Sequence, residues 1–97
     1  MIGSIGSIGA IGASDIVMSL RGHDAGTMLF VLAANGDYLL LADGKRRRVE
    51  APKRKKIKHV RFVAKSDTRT ALKIRAGEKV TNSELRRALR EANPVEH

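Results

Sequence analysis

From Asp15 onward, short apolar runs alternate with turn-forming residues. "DIVMSL" (15–20), "TMLFVLA" (27–33) and "DYLLLA" (37–42) each have the length and apolar content of a β-strand. "RGHDAG" separates the first two, with Gly22 and Gly26 bracketing a turn. Asn35-Gly36 is a two-residue hairpin signal, because a type I′ turn needs positive φ at both positions. Asp43-Gly44 repeats that signal, so "KRRRV" (45–49) reads as a fourth strand with one basic face. Pro52 cannot donate to a ladder, which puts the end of this strand near Ala51. In "IKHVRFVA", a fifth strand, Ile57, His59, Arg61 and Val63 alternate with Lys58, Val60, Phe62 and Ala64. Short strands joined by tight turns predict a mainly β fold. The expected form is a small antiparallel barrel over 15–64, since closure removes exposed sheet edges.

The pattern then changes period, and residues 65–97 read as a helical C-terminal appendage. "SDTRTALKIRAG" begins at Ser66 or Asp67 as the N-cap and ends at Gly77, placed as a C′ glycine. In "VTNSELRRALREAN", Thr81 and Glu84 form a capping box, with Val80 and Leu85 at the staple positions. Leu85, Ala88, Leu89 and Ala92 share one face, Arg86, Arg87 and Arg90 lie away from it, and Asn93-Pro94 ends the helix. Residues 1–14, an Ile/Gly/Ser repeat without charge, are expected to be a flexible extension. They lack the basic n-region of a secretory signal and the length of a membrane span.

Charge sharpens the picture. The chain has 19 Lys and Arg against 10 Asp and Glu, a net charge of +9. Lys45, Arg46, Arg47, Arg48, Lys53, Arg54, Lys55, Lys56 and Lys58 are opposed within their segment only by Glu50, so nearly all the net charge lies in 45–58. Such a field favours a polyanion. An import signal and a membrane surface are the weaker readings, the latter because Pro52 and strand-like flanks replace the amphipathic helix it would want. There are no cysteines, which excludes disulfides, thiolate zinc sites and thiol nucleophiles and is compatible with a cytoplasmic protein. His23, His59 and His97 lack metal-ligand spacing. No paired carboxylates, nucleophile elbow or phosphate-cradling loop points to an enzyme, and no cofactor is implied.

The stretch "IVMSLRGHDAGTMLFVLAANGDYLLLADG" resembles a KOW motif, with Gly26 at its characteristic glycine. With "NGDYLLLADGKRRRVEAPKRKKIKHV", the following "SD" segment and "VTNSELRRAL", residues 15 to 92 resemble the small bacterial KOW-domain RNA-binding proteins. These are related to large-subunit ribosomal proteins of archaea and eukaryotes. The resemblance implies an SH3-like barrel and binding of structured RNA, most of all ribosomal RNA on the large subunit. One departure is in the turn. The family often has Gly-Arg-Asp-Lys-Gly there, whereas this chain has Gly22-His23-Asp24-Ala25-Gly26 and so lacks two cations.

The expected RNA-binding set is Arg21, His23, Lys45, Arg46, Arg47, Arg48, Lys53, Arg54, Lys55, Lys56 and Lys58. Lys and Arg there would neutralise phosphates, and Arg makes bidentate contacts that Lys cannot. Gly26 serves the turn and Asp24 caps it through its side chain. Phe30 and Phe62 are expected in the core, leaving Tyr38 as the base-stacking candidate. Val49, Ile57 and Val60 are expected to anchor the basic run to the core, with "EAPKRKK" as a loop making the principal contact. The rival reading is a protein-interaction module of the KOW type in transcription or translation machinery, with a protein partner on the apolar face of residues 82–92. A membrane partner is not expected.

Overall fold

The computed structural model of the protein describes residues 11–92. Most of the expected N-terminal extension, the Asn93-Pro94 helix stop and His97 therefore fall outside the described residues. Five antiparallel strands form one sheet: β1 (Asp15–Ser19), β2 (Met28–Asn35), β3 (Tyr38–Ala42), β4 (Lys53–Lys56) and β5 (Val60–Lys65). Two helices follow, α1 (Arg69–Arg75) and α2 (Asn82–Ala92).

The strand order is β4-β3-β2-β1-β5, so β4 and β5 are opposite edges of the ladder. In a flat sheet those edges would stand about 19 Å apart, at ~4.8 Å per strand. A single 3-10 turn, Ile57–His59, joins them. Four Cα steps from Lys56 to Val60 reach at most about 15 Å when fully extended, and a 3-10 turn is far shorter. The sheet therefore has to curl into a barrel. Two bulges help, Leu32 in β2 and Val63 in β5, each an extra residue in its ladder that increases local twist.

Both faces of the central strands are buried. Val17, Leu29, Val31, Leu39, Leu41 and Val60 fill the barrel interior, with Ile57 packed against them. Ile16, Phe30 and Ala42 point the other way and pack against Ala71, Ile74, Val80, Leu85 and Ala88. This double burial is why β2 reads as a continuous apolar run. The helices thus share a core with the strands instead of hanging from the barrel. The apolar face of α2, the candidate partner surface, is covered by the chain's own sheet, with Leu85 fully buried.

Local chemistry shapes the helix starts. At α2 the Thr81 N–H donates to Glu84 Oε1 at 2.8 Å, and the Glu84 N–H returns to Thr81 Oγ1 at 3.1 Å. Buried Val80 and Leu85 complete the staple. At α1 the cap is Thr68, whose hydroxyl accepts from the Ala71 N–H at 3.1 Å, and not Ser66 or Asp67. Ser66 instead accepts from the Thr68 N–H and meets the Thr68 hydroxyl, bracing the cap from outside.

The fourth strand departs from expectation. Residues 45–49 do not form a strand, and β4 begins after Pro52. Asp43 is the cause. Its carboxylate accepts the N–H groups of Lys45 and Arg47, both at 2.9 Å, while the Asp43 and Gly44 N–H groups donate to the Arg47 carbonyl. That arrangement satisfies the backbone locally and turns the chain back on itself. Pro52 then sits just before the strand, where its missing N–H removes no ladder bond. "KRKK" is thus strand, with Leu41 opposite Lys53 and Tyr38 opposite Lys56, and not the loop it was expected to be. Ile57 and His59 lie in the 3-10 turn, so β5 starts only at Val60. Phe62, expected in the core, is 45% exposed.

Gly44 is buried at φ +81°, and a Cβ there would overlap the Asn82 carbonyl of α2. Gly36, at φ +63°, faces open space. Gly36→Ala should cost only the strain of a left-handed residue, about 1–2 kcal/mol. Gly44→Ala should cost clearly more and should loosen the loop from α2. Urea unfolding of the two variants tests this; equal losses would show that the packed approach to Asn82 carries no weight.

Candidate nucleic-acid interface

The nine cations of 45–58 are not equivalent. Arg47 and Lys55 are committed to the fold. Arg47 Nε reaches both carboxylate oxygens of Asp24, at 3.2 and 3.1 Å, and a terminal guanidinium nitrogen lies 2.9 Å from Oδ2. Asp24 is 2% exposed. It was expected to cap its own turn; its side chain instead clamps the β1–β2 loop to the β3–β4 loop. Turn closure falls to backbone groups: the Thr27 N–H donates to the Asp24 carbonyl, and the Gly26 N–H to the Ser19 carbonyl at 2.7 Å. Gly26 has φ +86° with open space around it, so it is needed for its dihedral and not for a close approach.

Lys55 is opposite Leu39, on the inward face of β4, and is largely buried. Its ammonium escapes by donating to the Arg21 carbonyl at 2.8 Å. This second tie fixes β4 to the β1–β2 loop and holds the Arg21 backbone beside the basic strand.

The remaining cations reach solvent, Lys53 and Lys56 as half-buried side chains. Lys45 and Arg46 are exposed on the turn after Asp43. Arg48 pairs with Glu50 at 3.3 Å, and Glu50 is itself held by Asn82 Nδ2 at 2.7 Å. The Asn82 hydrogen bond, then its own backbone and Arg48, keep the Glu50 carboxyl below its usual range. The side-chain Oδ1 of Asn82 accepts the Val49 N–H at 2.7 Å, and Arg86 donates to the Gly44 carbonyl at 2.6 Å. The basic loop is thereby moored to the first turns of α2. Arg54 lies over the Tyr38 ring, 4.0 Å from its centroid, with Lys56 at 5.8 Å. One face of Tyr38 is thus occupied by a guanidinium, and the ring acts as a mount for cations.

His59 marks where these charges converge. Burial first, then the charges of Arg21, Lys58, Lys56 and Lys55, push its imidazole below the ordinary histidine range. Its carbonyl accepts the Leu20 N–H at 2.9 Å, which brings the Ile57–His59 turn alongside Arg21. Arg21 and the 55–58 segment, far apart in sequence, thus share one side of the barrel. Lys45, Arg46, Lys53, Lys56 and Lys58 have no carboxylate partner among the described residues. Exposed His23 sits in the Gly22–Asp24 turn of the same β1–β2 loop. The pairing of Asp24 with Arg47 and the convergence on His59 were invisible in the sequence, because both join residues more than twenty positions apart.

Among the described residues, no group of three His, Asp or Glu is placed to hold a metal ion, and no helix is long and apolar enough to cross a membrane. A scan of protein-family models and a search of curated proteins found no match to this chain.

Two titrations follow. Asp24 is pushed up by burial, but Arg47 hydrogen bonding and charge, aided by Lys55 and Lys53, outweigh this and leave it lowered. Its stabilising effect is therefore present above the unfolded carboxyl pKa and lost as pH falls through the folded value. Arg47→Met removes the main lowering influence, so the acid-unfolding midpoint should move to higher pH; an unchanged midpoint would mean that the pair contributes nothing. His59 should titrate below an ordinary histidine in an NMR pH series, and added salt should raise its pKa by screening the nearby cations. A salt-independent value would mean that the charges do not converge on it.

Proposed function

We propose that the protein binds structured RNA through the basic side of the barrel, reading backbone and shape more than sequence. The carrying observation is the sorting of cations. Arg47 and Lys55 lock the loops, whereas Lys45, Arg46, Lys53, Lys56 and Lys58 have no carboxylate partner among the described residues, and Lys56 and Lys58 converge with Arg21 on His59. Concentrating like charge this way lowers stability by self-repulsion, which a polyanion would relieve. A groove lined by Asp37, Lys56, Ile57 and Lys58 adds relief beside Tyr38. The side chains that would meet phosphates project from strand β4, its flanking turns and the β1–β2 loop, a rigid curved surface instead of a tail.

The resemblance to KOW-domain RNA-binding proteins supports the same reading and is the sole support for ribosomal RNA as the target. On this reading the protein would work in the cytoplasm with the translation machinery. The rival protein-interaction reading loses the surface it required, since the apolar face of α2 is occupied by the barrel.

With five or six phosphates neutralised, log K for an RNA hairpin should fall with log salt at a slope of about −4 to −5. Replacing Lys53, Lys56 and Lys58 together with Gln should flatten that slope by roughly 2 to 3 without lowering thermal stability, since self-repulsion falls. Arg47→Gln should instead lower stability. Affinity indifferent to salt, or to the triple substitution, would overturn the proposal.

A further inference from the structure

Resting on the RNA reading, we infer that Phe62 is a stacking platform for an unpaired base, so that the preferred RNA presents single-stranded nucleotides beside its structured part. The chain has three aromatic residues, Phe30, Tyr38 and Phe62. Phe30 is fully buried under the helices. Tyr38 has one face covered by Arg54 at 4.0 Å. That leaves Phe62, which is 45% exposed on β5, an edge strand of the sheet.

Its setting explains the exposure. Phe62 is opposite Val17, which is fully buried, so the ring starts from an interior-facing register position. Among the described residues no further strand lies beyond β5, and Val63 bulges immediately next to Phe62. The ring therefore emerges at the rim instead of entering the core. Val63 is also exposed, at 37%, and widens the apolar spot. An apolar edge invites pairing with another strand. Here Arg61 and Lys65 flank the apolar residues 62–64, and the whole chain carries +9, so a second copy would be repelled. The same charges attract a nucleic-acid strand.

The spacing suits one continuous track. Phe62 lies three residues beyond His59, about 10 Å along an extended strand. A backbone held by Lys56, Lys58 and Arg21 around His59 would bring its next bases to the ring. Single-strand binders combine these two elements, a cationic groove and an aromatic face, and stacking tolerates any base because every base has a π-face.

The test compares a labelled unstructured oligouridine with a blunt RNA duplex of equal length, by fluorescence anisotropy at fixed salt, using the full chain. Phe62→Leu keeps the apolar volume and removes the aromatic face. It should weaken oligouridine binding roughly tenfold and leave the duplex affinity unchanged. Phe62→Trp should restore binding; as the chain has no other tryptophan, its fluorescence should be quenched by oligouridine. If Phe62→Leu folds normally and binds oligouridine like the parent, while the Lys53, Lys56 and Lys58 to Gln variant loses both RNAs, the stacking inference falls and the RNA function stands. If the parent protein binds neither RNA, both fall. Sedimentation showing a dimer that Phe62→Leu dissociates would assign the ring to a second copy and overturn the inference.

Discussion

The fold depends on how a strongly basic segment is made to turn back and dock. Nine cations against one acid would leave residues 45–58 solvated and extended unless their backbone found partners. Asp43 supplies the first, folding the chain over its own carboxylate. Gly44 then lets the turn lie against the Asn82 carbonyl, where no side chain fits. From there Arg47 reaches Asp24, Val49 reaches Asn82, and Lys55 reaches the Arg21 carbonyl. Two of these contacts join the segment to the β1–β2 loop and one to the start of α2.

These ties divide the labour among like residues. A guanidinium that is two-thirds buried against a buried carboxylate and an ammonium at the barrel wall hold structure, whereas neighbours one or two positions away meet solvent. Alternation along β4 is the reason. Lys53 and Lys55 lie opposite core residues Leu41 and Leu39, and Arg54 and Lys56 lie opposite Leu40 and Tyr38 on the outer face. Of the inward pair only Lys55 is buried and tied down, whereas Lys53, next to Pro52 at the strand start, stays half-buried and joins the free set. The helices contribute from behind. They cover Ile16, Phe30 and Ala42, so that face of the sheet is core.

Much of this was legible in the sequence. The three apolar strands, the Asn35-Gly36 turn, the capping box at Thr81 and Glu84 and the cationic segment all rest on local chemistry between near neighbours. The anchors Val49, Ile57 and Val60 are also packed against the two cores as expected. The errors cluster where the deciding partner was distant. Asp43-Gly44 carries the same letters as a tight hairpin, but the Asp43 carboxylate closes a wider turn on Lys45 and Arg47, which Asn82 and Arg86 hold from across the chain. Asp24 looked like a turn cap because its partner, Arg47, comes from another loop.

The sequence by itself determined the number of apolar strands, the positions of the helices and the concentration of charge, since each follows from periodicity, capping and composition over a few residues. Tertiary structure alone decided which cations are structural and which are free. It also put Phe62 on the rim while burying Phe30. The reason is that charge and apolarity are properties of a residue, whereas exposure depends on what the rest of the chain places beside it. For Phe62 that was settled by its place on β5, an edge strand among the described residues, and by the bulge at Val63.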